Sequence, residues 1–483
     1  MSRTLPVLFA VIVSLAIVSS YTVDPYLYNE VGQTIVVNSS SCKTLARFHF
    51  SPDSSYELRG SFDLEGGTVS IPNGCVVSCK DAILYNGSLI INSRCRLLDG
   101  NFNNIQVFIK NAEKVCISNC SFTGSFGVQN LKADNYLASA IYSSKVKDVE
   151  FNHISITNYQ WGIVIYDSER IVAENIVFTG VLDKSVDYSI NIDNANYHDA
   201  LMLSNTHFSR AINISAYNCG TCVVLGRTSK TNVIDGCRGS VLWDNGIYIS
   251  SGNNNIIQNC IFNNVRGTGV KARGSCNIIA NNVVSNVGTG YAITGNGTSI
   301  GIDEYGKEYN GYGSMITGNV VMNAHNSGIS IGAQDGLTPY RFSVTNNSII
   351  NCSAETASIS IFCNGASIVG NNIVCPNSFG IVIAQMQDKG SGGYMITENN
   401  ISCKRRGIVV QKCKDAVIAN NAINTEIQGI VVYQTEQSSF ITNKFSGKGK
   451  YSVSGHIKGT SNFYKTLDSD DALVPSSFVI IEK

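Results

Sequence analysis

The chain has 483 residues, of which 43% are hydrophobic and only 14% charged, with 35 Lys+Arg exactly balanced by 35 Asp+Glu. A neutral chain has no global field to draw it to nucleic acid or to an anionic membrane surface. With 44 glycines, 7 prolines and no charged tail, it reads as a folded body and not as a disordered linker.

The first twenty residues, MSRTLPVLFAVIVSLAIVSS, place Arg3 ahead of an apolar run from Leu5 to Val18. Val18 and Ser20 suit the positions three and one before a cleavage point, so 1–20 reads as a signal peptide cut after Ser20. The run is short for a bilayer span and no second one follows. The expected product is secreted or extracytoplasmic, with no membrane attachment after cleavage. Residues 21–110 read as an N-terminal cap with entry coils, and 446–483, which break the pattern described next, as a C-terminal cap over open strand edges.

Between 111 and 445 the chain repeats. NIIQNCIF (255–262), NIIANNVV (277–284), SMITGNVV (314–321), FSVTNNSII (342–350), SIVGNNIV (367–374), MITENNIS (395–402), AVIANNAI (416–423) and SFITNKF (439–445) are copies of one pattern. One asparagine in each (Asn259, Asn281, Asn319, Asn346, Asn371, Asn399, Asn420 and Asn443) is expected to stack from copy to copy. A second element keeps step: NGIYIS, TGVKAR, IGIDEY, SGISIG, FGIVIA, RGIVVQ and QGIVVY, with WGIVIY as an upstream relative. Units of 21 to 28 residues holding short alternating strands bury their apolar faces only by stacking. The fold class expected is all-β: a single-stranded right-handed parallel β-helix, or β-solenoid, with N- and C-terminal caps.

The repeat resembles the right-handed parallel β-helix of the pectate-lyase-like superfamily. The entry segment SFDLEGGTVSIPNGCVVSC is similar to that of secreted bacterial members. The resemblance implies a carbohydrate-active or glycan-binding protein. It assigns no catalytic residue, because neither the W-I-D-H string of pectate lyases nor the N-T-D, G-H-G and R-I-K trio of polygalacturonases occurs.

Alternation then nominates a site. In GVKAR, Val270 and Ala272 take the inward places, so Lys271 and Arg273 face out; Tyr248 does the same in GIYIS. Aligning GIDEY with these puts Asp303 and Tyr305 outside, so Tyr248, Lys271 and Asp303 would form one outward column. The same alignment turns Glu304 inward, a conflict for a carboxylate. A second cluster holds His198, Asp199, Arg227, Trp243 and Asp244, with His325 further along. If the coils stack directly, His198, Asp199, Arg227, Asp244, Lys271 and Asp303 share one side of the solenoid.

β-Elimination on a uronate polymer needs a cation to neutralise the carboxylate and a base for the C5 proton. Arg273, Lys271 and Tyr248 or Tyr305 would serve as neutraliser, base and acid. Hydrolysis would instead use two carboxylates among Asp199, Asp244 and Asp303. Arg227, Trp243 and His325 are the substrate-binding candidates. The expectation is a polysaccharide lyase ahead of a glycoside hydrolase, with a non-enzymatic glycan-binding or adhesin solenoid as the alternative. The partner is a glycan; no cofactor is required, although Asp303 would equally tie a loop or hold Ca2+. The sixteen cysteines read as small apolar side chains packed inside, CGTC (219–222) included.

Overall fold

A computed structural model describes residues 33–40, 42, 45–125, 139–180, 198–288, 293–296, 301–302, 308–309, 313–332, 340–352, 357–384, 391–435, 438–446, 451–457 and 463–465. The signal segment, Asp303, Tyr305 and most of 446–483 lie outside these. Apart from a 3-10 turn at Leu45–Arg47, every regular element among the described residues is a β-strand. The chain forms two compact units, Met1–Tyr248 with Asn254–Ile256, and Ile249–Asn253 with Ile257–Lys483.

In the first unit each strand pairs in parallel with the strand one repeat later. One row runs through the end of Asn101–Lys110, then Ser139–Ser144, the start of Trp161–Thr179, Leu201–His207 and Val223–Gly226. Its register stacks Val107, Ile141, Ile163, Leu201 and Val223, all without solvent exposure. Each such apolar side chain contributes about 1.5–3 kcal/mol by leaving water. The residues between them form the opposite column, in which Phe108, Tyr142 and Met202 are half-exposed and Val164 and Val224 are buried.

The second unit repeats the design. Phe262, Val284, Val321, Ile349, Ile373, Ile401, Ile423 and Phe445 stack through successive strands from Ile261–Val265 to Lys444–Ser446. Where strands meet, space closes down: a Cβ on Gly380 would lie 2.3 Å from the Gly407 carbonyl oxygen.

The asparagine ladder exists, one residue away from half of its expected places. Asn282, Asn319, Asn347, Asn371, Asn399, Asn421 and Asn443 are buried to 1% exposure or less. Each side-chain amide donates to the next Oδ1 at 2.8–3.0 Å. Asn319, Asn371, Asn399 and Asn443 were expected there. Asn259, Asn281, Asn346 and Asn420 instead occupy the preceding turn position in the left-handed region, at φ of 55–57°. Gly318, Gly370, Glu398 and Thr442 hold that turn position in the other coils. An Asn-Asn pair offers either residue to the ladder. The turn takes the first because Asn tolerates positive φ, which leaves the second to face inward.

All sixteen cysteines are thiols, fourteen of them buried, as the packing argument expected. In CGTC, Cys219 Sγ donates to the Thr221 carbonyl at 3.8 Å and Cys222 Sγ to the Arg238 carbonyl at 3.5 Å.

Candidate functional site

The first unit carries two features on one row of strands. At its N-terminal end the turns before Leu201–His207, Val223–Gly226 and Asn245–Ile249 stack. The Gly220 N–H donates to the His198 carbonyl at 2.8 Å, and the Asp244 N–H to the Gly220 carbonyl at 3.0 Å. This brings Asp199 and Asp244, 45 residues apart in sequence, into electrostatic contact. Asp199 is only 4% exposed, and its Oδ1 accepts the Thr221 N–H at 2.9 Å. Burial, and then the Asp244 charge, hold its proton well above the usual carboxyl range, while the bonds from Thr221 pull the other way. Asp244 is the more accessible partner, half-buried at the head of its strand.

His198 is 2% exposed, and burial pushes its pKa down to about 4. Neither ring nitrogen makes a well-formed hydrogen bond among the described residues, and the nearby Gln160 backbone offsets burial only in part. His198, expected among the catalytic candidates on one side of the solenoid, is thus a buried ring. The turn, not strand alternation, sets its direction.

The other feature lies on the outward surface of the same row. Phe108 and Tyr142 are register neighbours with ring centroids 6.3 Å apart, and Tyr166 follows 6.1 Å from Tyr142. All three rings are half-exposed. The Lys110 ammonium stands 5.6 Å from both the Phe108 and Tyr142 centroids, and the Arg227 guanidinium 5.8 Å from Tyr166. Both cations are exposed. Arg227, expected beside the acidic residues, sits instead at the far end of Val223–Gly226, about 20 Å along an extended chain from Thr221. Trp243 is half-buried next to Asp244.

Sequence reasoning missed this aromatic stripe. Its signal was an aromatic at the outward place in VFIK and AIYSS, then at the strand end in GIVIY. Phe108, Tyr142 and Tyr166 do not share one column, so no single alignment column displays them.

Tyr248 is half-buried between Ile247 and Ile249, both fully buried, and belongs to the first unit. Lys271 and Arg273 belong to the second, half-buried, with Val270 and Ala272 buried as alternation requires. Their register neighbours one coil on are Thr294 and Asn296, not Asp303 and Tyr305. The coil strand is Ile293–Asn296, which pairs onward with Ile329–Ile331. Gly301–Ile302 pairs antiparallel with Glu308–Tyr309 as a hairpin outside that stack. Asp303, Glu304 and Tyr305, on which the rest of that expected column falls, lie outside the described residues. ITGN and IGID offer the same pattern seven residues apart, and only pairing chooses between them. His325 is exposed, in a cavity of about 500 Å³ lined also by Asn286, Asn323, Asn351, Cys352 and Asn377.

Residues 139–304 match the family model described as a right-handed β-helix region. The fold is a right-handed parallel β-helix. No curated protein sequence matches the chain. The solved structures similar to the β-helix include the Dettilon tailspike protein, at 15% identity and a TM-score of 0.43. That match covers 60% of this chain, which spans about 60% of the tailspike's length. The tailspike protein of E. coli bacteriophage HK620 in complex with a pentasaccharide matches at 13% identity and TM-score 0.39, covering 83% of this chain and 72% of that one. The catalytic domain of a GH87 α-1,3-glucanase in complex with nigerose matches at 12% identity and TM-score 0.34, covering 79% and 64%.

Proposed function

We propose that this β-helix protein is carbohydrate-active and grips an acidic polysaccharide along the outward surface of its first unit. The observation that carries the reading is the stripe of Phe108, Tyr142 and Tyr166 between two exposed cations. Pyranose faces stack on such half-exposed rings, and the phenol oxygens add hydrogen bonds. Lys110 and Arg227 favour sugars that carry carboxylates or sulfates, and Arg227 offers the planar fork that suits such anions. An extended glycan fits a row of strands repeating about every 4.8 Å.

Cleavage is the second reading, supported by the Asp199–Asp244 pair at the head of the same row. Asp199, holding its proton by burial, would be the acid, and the more accessible Asp244 the base that activates water. For β-elimination, Lys271 and Arg273 remain as base and neutraliser on the outward positions of Thr268–Arg273. The carboxyl pair is the better-supported centre because Asp199 and Asp244 are brought into electrostatic contact at the head of one row.

The test is affinity electrophoresis against uronate-containing, sulfated and neutral polysaccharides. Tyr142→Ala and Tyr166→Ala are each expected to weaken retardation by an acidic glycan at least tenfold, with unfolding unchanged. Retardation by no acidic glycan, or variants that bind like the parent, would overturn the reading. Reducing-end release lost in Asp244→Asn identifies hydrolysis, and unsaturated uronate product lost in Lys271→Ala identifies elimination.

A further inference from the structure

In the second unit, the wall of the stack changes step part-way along. In four coils successive inward side chains stand three residues apart: Phe262 and Val265, Val284 and Val287, Val321 and Ala324, Ile349 and Cys352, all buried. The extra residue in each is an asparagine, Asn264, Asn286, Asn323 and Asn351, at φ of 53–56°. Asparagine tolerates this left-handed backbone better than most side chains. In the next coil Ile373 pairs with Ile349, but the following inward residue is Cys375, only two places on. Ile401 with Cys403 and Ile423 with Thr425 keep the shorter step.

The exposed amides at this step form a second ladder, outside the wall. Asn286 Nδ2 donates to Asn263 Oδ1 at 2.8 Å, Asn323 Nδ2 to Asn286 Oδ1 at 3.0 Å and Asn351 Nδ2 to Asn323 Oδ1 at 2.8 Å. The ladder ends at Asn351, because the coil through Asn372–Cys375 has no residue at that place. Asn351 Oδ1 accepts no hydrogen bond among the described residues. Where the ladder ends lies the cavity of about 500 Å³, lined by Asn286, Asn323 and Asn351 together with His325 and Asn377. All five are exposed. No Asp, Glu, Lys or Arg lines the cavity among the described residues.

We infer that this cavity binds an uncharged sugar of one or two pyranose rings. Its volume falls in the range of pockets that hold small ligands, roughly 300–1,000 Å³. An amide carries two N–H donors and an oxygen with two lone pairs. Asn323 spends one donor and one lone pair on the ladder, which leaves one of each for a ligand. A sugar hydroxyl also both donates and accepts, so amides repeating about every 4.8 Å meet successive hydroxyls along a ring edge. The ladder fixes these side chains before the sugar arrives, and little rotamer freedom is lost on binding. A carboxylate or ammonium would give up its hydration here without an opposite charge in return. The preference is the reverse of that at the Phe108–Tyr142–Tyr166 stripe, and the cavity lies wholly in the second unit, so the inference does not depend on the stripe.

Saturation-transfer NMR on the full chain tests this, with cellobiose, lactose, mannobiose and N,N′-diacetylchitobiose as probes and glucuronate as the charged control. At least one neutral disaccharide is expected to receive saturation, and more strongly than glucuronate. Asn377→Trp fills the cavity from an exposed turn, and His325→Ala removes a lining ring. Each is expected to weaken that signal about tenfold with thermal unfolding unchanged, as exposed substitutions usually leave it. Tyr142→Ala and Tyr166→Ala should leave the signal intact. No saturation of any neutral disaccharide by the wild-type chain, a result that requires no variant to fold, would overturn the inference. So would a signal that survives Asn377→Trp, or one lost in Tyr142→Ala instead, because the sugar would then sit on the first unit.

Discussion

Asn346 and Asn347 are adjacent, chemically identical and expected to respond oppositely to mutation. The Asn347 amide donates to the Ile316 carbonyl and to Asn371 Oδ1, both at 3.0 Å. Its own Oδ1 accepts the Asn319 backbone N–H and side-chain amide, both at 2.9 Å. Asn347→Ala removes four bonds at a site 1% exposed, where no water replaces them. At about 1 kcal/mol net per bond, and more for each group left orphaned, the cost is about 4 kcal/mol or above. Asn346 is exposed at φ 55°, and its backbone bond to the Val369 carbonyl survives any side chain. Asn346→Gly therefore stays within about 0.5 kcal/mol, while Asn346→Ala costs about 1–2 kcal/mol for the left-handed backbone alone. Urea unfolding followed by circular dichroism reads all three. Because repeats are coupled to their neighbours, the loss should appear as an earlier transition of the second unit. Asn347→Ala within 1 kcal/mol of the parent, or Asn346→Gly as costly as Asn347→Ala, would refute the assignment of ladder and turn.

Asp199→Asn keeps the oxygen that Thr221 bonds and removes the buried acid. A raised folded pKa means that unfolding releases a proton above about pH 4, so wild-type stability falls as pH rises from the unfolded value toward the folded one. The variant should match the parent near pH 3.5 and gain on it with increasing pH, by at most about 1.4 kcal/mol per unit; a flat difference curve in urea titrations at several pH values would count against the buried acid. Gly380→Ala forces its Cβ against the Gly407 carbonyl and should cost about 1–3 kcal/mol. Gly332→Ala meets only the Phe362 ring at 3.5 Å and should be close to neutral in the same melt. Expression with export is expected to yield a mature chain starting at Tyr21, read by N-terminal sequencing; retention of Leu5–Val18 would remove the signal-peptide reading.

Strand repeats, inward columns and the parallel stack were legible because apolar alternation and Gly/Asn turns recur at short intervals, and stacking is the one way such units bury both ends of each strand. Register within a repeat was less legible. NIIANN holds two asparagines that differ by one place, and the choice between them rests on which backbone position needs positive φ. That requirement shows itself in the coils that place Gly318 or Gly370 there. Reading those glycines as turn markers would have assigned Asn282, Asn347 and Asn421 to the ladder from sequence alone.

The site was harder for a different reason. Chemistry on a β-helix depends on neighbours contributed by separate coils, and each inserted loop shifts the sequence distance between them. Asp199 and Asp244 met because the turns ahead of their strands stack. Lys271 takes Thr294 as its register neighbour because Ile293–Asn296, and not Gly301–Ile302, joins the coil stack. The aromatic stripe changes column between Tyr142 and Tyr166, yet the rings stay about 6 Å apart because a long side chain reaches diagonally across two residues of a sheet. Side-chain reach, more than columnar alignment, therefore sets which residues of a β-helix face can act on one ligand. On that ground Lys110, Phe108, Tyr142, Tyr166 and Arg227 form one surface although no single register line contains them all.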